Sequence, residues 1–127
     1  MRRDGTVRIG GAGGFLGDSS TAAPQLIGGG DLDYLILDYL AEATMSVLGR
    51  VRVKKPDEGY ARDFTGWVWK DNLGAIKSKR VKIVTNAGGV NPHACRARME
   101  KLAADAGLSF RIAVVEGDDL IGRLSEF

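Results

Sequence analysis

Gly11-Ala12-Gly13-Gly14-Phe15-Leu16-Gly17 fits the pattern G-x-G-x-x-x-G and runs straight into Asp18 and Ser19. Glycines at this spacing let the backbone approach a ligand, and a helix start behind them offers free N–H groups to an anion. Asp38 closes the next apolar run, where a ribose-binding acid follows a dinucleotide fingerprint. Asn86-Ala87-Gly88-Gly89-Val90-Asn91-Pro92 repeats the combination of glycines and a helix start. It suits an oxyanion or a phosphate, or serves only to cap and turn. Glu116, Asp118 and Asp119 join Asp38 and Glu42 in an acidic rim. Such a rim would hold Mg²⁺ or share a proton as acid and base, and the same acids also serve as caps and solvated charges.

Each of these signals has a plain structural counterpart. A glycine-rich turn after a strand need hold no ligand. Asn86-Ala87-Gly88 echoes a short-chain dehydrogenase motif, but the catalytic Tyr-x-x-x-Lys is missing after it; Tyr60 precedes it and has Phe64 four residues on. His93, the one histidine, sits in the first turn of a helix beside the candidate site, and an exposed helix-start histidine needs no role. Cys95 lies on an apolar stripe and reads as buried. Two positions apart on a helix, His93 and Cys95 do not face each other. Trp67 joins a core face, whereas Trp69 falls off it and marks a contact with further chain or a partner.

The elements that position these segments alternate. Val7–Ile9 reads as a first strand, followed by the glycine loop and a short helix over 21–27. A second, mostly apolar strand spans Leu32–Leu37. Leu40, Thr44, Val47, Leu48 and Val51 recur at helical spacing, and Lys54 to Gly59 stops that helix. A third helical segment runs over 61–76, with Phe64, Trp67, Val68 and Ile76 on one face and Gly66 and Gly74 weakening it. Val81–Thr85 is a third strand. Asn91 as N-cap, Pro92 at the first helical position and Gly107 past the end delimit the next helix, and Phe110–Val115 reads as a fourth strand. Alternation of this kind predicts an α/β fold: an open parallel sheet of about four strands with helices on both faces, Rossmann-like and incomplete. The polar, glycine-rich loops then all leave strand C-termini, the edge at which open parallel sheets bind ligands.

A chain of 127 residues, 44% hydrophobic, makes one domain with one core. Eighteen Lys and Arg against 16 Asp and Glu give a net charge of +2, too balanced for a nucleic-acid footprint. The densest basic group, Lys77, Lys79, Arg80 and Lys82, reads as a solvated helix end. One cysteine forms no internal disulfide, and no apolar run follows Met1-Arg2-Arg3-Asp4-Gly5 or reaches membrane-span length. A cytoplasmic location, with no nucleic-acid or membrane partner, is expected.

Five blocks stand in order: Val7-Arg8-Ile9-Gly10-Gly11-Ala12 with Gly17-Asp18-Ser19; Gly30-Asp31-Leu32-Asp33-Tyr34-Leu35; Asp38-Tyr39-Leu40-Ala41-Glu42 with Thr44-Met45-Ser46; Asn86 to Pro92; and Val114-Val115-Glu116-Gly117-Asp118-Asp119. Together they resemble the N-terminal part of the acyclic terpene utilisation protein A (AtuA) family, over nearly the whole chain. The resemblance implies a place in bacterial breakdown of citronellol- and geraniol-type terpenoids, which proceeds through coenzyme A thioesters. It carries over no catalytic residue. Family members are several times longer, so the chain reads as an N-terminal fragment of a longer protein. Gly13-Gly14-Phe15-Leu16 also departs from the bulkier or small polar residues of relatives, towards a dehydrogenase turn.

The leading expectation is therefore a small acyl or CoA-type metabolite bound at the strand C-termini. Amides of the loops holding Gly11, Gly13, Gly14, Gly17, Asp18 and Ser19, and Asn86, Gly88, Gly89 and Asn91, would grip its anionic groups. Asp38, Glu116 and Asp118 are the candidate acid/base groups or metal ligands. A bulky residue at Gly13 or Gly89 is expected to abolish binding while leaving the fold. The alternatives are an NAD(P)-dependent oxidoreductase domain, and a non-catalytic domain that needs further chain, a separate small subunit or a second copy of itself.

Overall fold

The computed structural model describes residues 5–127; Met1 to Asp4, read above for a leader, lie outside the described residues. The elements in order are β1 (Ile9–Gly11), α1 (Ala22–Gly29), β2 (Tyr34–Leu37), α2 (Glu42–Lys54), a π-helical segment (Phe64–Lys70), α3 (Asp71–Lys79), β3 (Lys82–Thr85), α4 (Pro92–Asp105) and a 3₁₀ turn (Ile121–Glu126). The three strands form one parallel sheet in the order β1-β2-β3. The α/β class and the open parallel sheet stand as the sequence predicts.

The fourth strand does not. Residues 110–115 form no strand and pair with nothing in the sheet, so β3 is an edge strand. The first strand also shifts towards the C-terminus, taking in Gly10 and Gly11. Pairing sets this position, with Gly10 opposite Leu35 and Gly11 opposite Ile36, and a Cβ on Gly10 would meet Leu32 Cδ1 at 2.7 Å, so this glycine makes room for Leu32. The motif's first glycines thus belong to the strand, and the loop proper begins beyond Ala12, with Gly13 and Gly17 in left-handed conformations (φ 91° and 82°).

Register separates the two faces of the sheet. Leu35 pairs with Gly10 and Ile83, and Leu35 and Leu37 are fully buried against Ile27 of α1, Phe64 and Val68 of the π segment, and Leu73 and Ile76 of α3. On the opposite face Ile9, Ile36 and Val84 are 60%, 43% and 52% exposed. The described helices therefore do not cover both faces as the apolar strands predict; a parallel sheet is ordinarily buried on both.

Termini are well fastened. Asn91 Oδ1 accepts from the Ala94 N–H to cap α4, and Gly107 (φ 68°) ends it with Leu108 N donating to Ala103 O at 2.8 Å. Lys79 Nζ donates to the carbonyls of Ile27 and Gly28 at the C-terminus of α1, and Lys77 Nζ to Ser109 O. The expected solvated basic cluster is thus partly a set of ties between elements.

The π segment reverses the expected tryptophan roles. Its wider turn takes more residues per revolution, so each residue advances through a smaller angle than in an α-helix and the buried face shifts along the chain. Trp69 is buried, donating from Nε1 to Met99 O at 3.0 Å, while Trp67 is 41% exposed.

Candidate functional site

The glycine loop satisfies its own backbone with carboxylates. The Gly14 N–H donates to Asp18 Oδ2 at 2.9 Å, and the Gly17 N–H to Asp63 Oδ2 at 2.6 Å. Asp63 comes from the approach to the π segment, so the contact ties the loop to a distant element. Ser19 Oγ accepts from the Thr21 and Ala22 amides and starts α1. Between the loop and the π segment lies a crevice lined by Gly13, Phe15, Asp18, Asp63 and Trp67, without room for a water molecule. Asp63 carries no sequence signal beyond its place after the Gly59 turn.

At the ends of β2 and β3 a side-chain clasp joins Asp38 and Asn86. Asn86 Nδ2 donates to Asp38 Oδ1 at 2.6 Å, and Asn86 Oδ1 accepts from the Tyr39 N–H at 2.8 Å. The Asn86 bond, and then the Leu40 amide, hold the Asp38 carboxyl below its usual pKa, so it is an ionised acceptor. Beside it the Tyr39 phenol is pushed up by burial and by the Asp63 and Asp18 charges.

Gly88 and Gly89 sit where backbones cross. A Cβ on Gly88 would lie 2.8 Å from Pro92 Cβ. Gly89 (φ 56°) would bring one 2.7 Å from Gly59 O and 2.6 Å from Leu48 Cδ1. The two loops are laced by Ala61 N to Ala87 O and Val90 N to Gly59 O, with Asn91 Nδ2 donating to the carbonyls of Pro56 and Glu58. The expectation that a bulky residue at Gly89 leaves the fold intact is thereby corrected: contact with backbone and the left-handed conformation both forbid it.

The acidic rim does not converge. Glu116 Oε1 lies 2.7 Å from His93 Nε2, Asp119 Oδ2 lies 3.7 Å from Arg52 Nη1, and Asp38 is held by Asn86. Among the described residues no group of three or more His, Cys, Asp or Glu could hold a metal ion. His93 thus gains a partner that its lone place in the sequence does not announce.

Room for a ligand lies on the β3 side. A cavity of about 550 Å³, within the range of small-molecule sites, runs between β3, α4 and residues 110–115. Phe64, Trp69, Ile83, Met99 and Ile112 supply apolar wall; Asn86, Gly88 and Gly89 line it at the strand end, and Asp118 lines it too. Arg96 and Arg111 also line it. Arg96 is paired with Glu100 at 2.8 Å, and Arg111 has no ion pair among the described residues. Cys95 lines the cavity too, and burial raises its thiol to about 12, so it is a neutral wall group and no nucleophile. The structure thus divides the expected site residues. Asn86, Gly88, Gly89 and Asp118 share the cavity, whereas Gly13, Asp18 and Ser19 line the closed crevice. Gly11, Gly14, Gly17, Asp38, Asn91 and Glu116 line neither. Arg96, Arg111 and Trp69 are lining residues that no motif marks.

Among the described residues no helix is long and apolar enough to cross a membrane. Neither the curated proteins nor the solved structures contain a match. The family model described as acyclic terpene utilisation family protein AtuA matches residues 7–127, nearly the whole chain and all five sequence blocks named above. The chain belongs to the acyclic terpene utilisation AtuA family.

Proposed function

We propose that this protein binds a small, branched acyl metabolite of acyclic terpene breakdown, as the acid or its CoA thioester, in the cavity between β3, α4 and residues 110–115. The carrying observation is that cavity's composition: apolar walls of suitable size, with arginines and a strand-end loop at its polar parts. The acyl chain would lie against Trp69, Ile83, Met99 and Ile112. Arg111 would meet the carboxylate or a phosphate of the CoA moiety, since guanidinium forks suit both. Asn86, Gly88 and Gly89 would face the acyl head. Asp118 is the acid/base candidate that lines the cavity; Glu116, outside the lining, is paired with His93, and Asp38, ionised and bound to Asn86, is a positioning group. The amides of the Gly13–Gly17 loop would receive an anion only after Asp18 and Asp63 release them.

Trp69 reports on this reading. In a Trp67→Phe background, titration with citronellate, geranate or their CoA thioesters is expected to change Trp69 fluorescence saturably and raise the melting temperature, and Arg111→Ala to weaken both. No response to any of the four overturns it. A response to NAD or NADP, lost on Asp38→Ala, assigns the chain instead to the nicotinamide-dependent oxidoreductases.

The uncovered row of Ile9, Ile36 and Val84 favours a second reading, a domain that works against a partner layer. Concentration-dependent association in sedimentation, abolished by Ile36→Lys and indifferent to ligand, supports it.

A further inference from the structure

Residues 110–115 have the alternation of a strand and none of its bonding. Phe110, Ile112 and Val114 are half-buried, and Arg111, Ala113 and Val115 are exposed, the period of two that a strand shows. Yet no backbone–backbone hydrogen bond engages any residue from Phe110 to Val115 among the described residues. The outer edge of β3 is equally unpaired, and Ile83, Val84 and Thr85 line the cavity that separates it from this segment. A strand, a helix and a second strand in succession ordinarily lie with the two strands parallel and adjacent.

Both ends of the segment are pinned. At one, the Phe110 ring sits 4.7 Å from that of Trp69, and Lys77 Nζ reaches Ser109 O. At the other, Glu116 meets His93 and Asp119 meets Arg52. The stretch between the pins is free of ladder bonds, and it faces an edge with donors and acceptors to offer.

We propose that residues 110–115 are a docking strand: pairing with β3 as a fourth parallel strand closes the cavity, and standing off, as here, opens it. Parity matches Ile83 with Ile112 on the inner face and Val84 with Ala113 on the outer. In the docked state Ile112 and Val114 fill the space an acyl chain would occupy, so ligand and strand exclude one another. This rests on the cavity being the ligand site, and it makes the segment the regulator of that site.

A disulfide tests the exchange. Adjacent strands lie roughly 4.8 Å apart, within reach of a disulfide. Val84→Cys with Ala113→Cys, in a Cys95→Ala background, is oxidised with copper phenanthroline under native conditions. The bond is expected to form, to weaken citronellate binding by about tenfold or more, and to release that block on reduction with dithiothreitol. A folded variant that forms no bond, or an oxidised protein that binds citronellate as the reduced one does, overturns the proposal. Hydrogen exchange of the unmutated protein decides it independently. Alternate amides within 111–115, those that would donate to β3, are expected to exchange more slowly than an unstructured chain and to speed up with citronellate. Exchange at the unstructured rate in the free protein overturns the docking strand, even where the variant fails to fold. If no citronellate binds the unmutated protein, the proposed function fails alone, and the disulfide and the exchange rates still judge the strand.

Discussion

Asn86 holds Asp38 and the Tyr39 amide at once, donating to the carboxylate at 2.6 Å and accepting from the N–H at 2.8 Å. One side chain thereby locks the C-terminal ends of β2 and β3 together. The two residues lie 48 positions apart in the chain, so the clasp exists only once the parallel register is made.

The clasp makes stability depend on pH in a defined direction. The folded-state pKa of Asp38 is lowered from an ordinary value of 3.8. Its contribution is therefore complete above that ordinary value and is lost as the pH falls through the lowered one. Urea midpoints are expected to separate the protein from Asp38→Asn clearly at pH 7 and less at pH 3. An equal gap at both values contradicts the assignment.

Gly89 and Gly74 predict opposite signs for the same substitution. Gly89→Ala forces a side chain into a left-handed conformation and against backbone, with an expected loss of about 1–3 kcal/mol or more. Gly74 lies exposed within α3 with open space at its Cβ, and Gly74→Ala is expected to gain about 0.5–1 kcal/mol. Denaturant unfolding measures both.

Trp69→Phe leaves the Met99 carbonyl without its buried donor. A cost of about 1–3 kcal/mol is expected. Trp67→Phe, at an exposed position, is expected to change stability little. Reversed magnitudes would return the two tryptophans to the roles their helical spacing suggests.

Burial sets the chemistry of Cys95. With its thiol raised to about 12, alkylation by iodoacetamide at pH 8 is expected to be far slower in the native protein than in urea. Equal rates would mean that the cavity wall opens freely.

Asp63→Ala removes the acceptor that holds the Gly17 amide. The Gly17 N–H is expected to lose protection from hydrogen exchange and the melting temperature to fall. Should phosphate or NAD bind the variant and not the parent, Asp63 is a built-in occupant of an anion site.

The sequence is most legible where one local signal decides an element. Asn91 and Pro92 mark the start of α4, and its end follows from Gly107. The apolar run at Leu32–Leu37 contains β2, and the family blocks are visible from end to end. What escapes depends on partners distant in the chain. Phe110–Val115 has strand composition, but a ladder needs an edge to accept it, and composition cannot say whether β3 does so. Gly88 and Gly89 look like an anion cradle until Gly59, Leu48 and Pro92 are seen against them. The Gly11–Gly17 pattern likewise does not reveal that Asp18 and Asp63 hold two of its amides.

The π segment is a phase shifter in the chain. Because it widens the turn between Asp63 and α3, deletion of one residue within Phe64–Lys70 would restore α-helical phase and swing Trp69 away from Met99. The floor of the cavity, the tie to Asp63 and the orientation of α3 are thus set together by one irregularity of winding. A length change of a single residue there would reset all three, where a substitution would alter one.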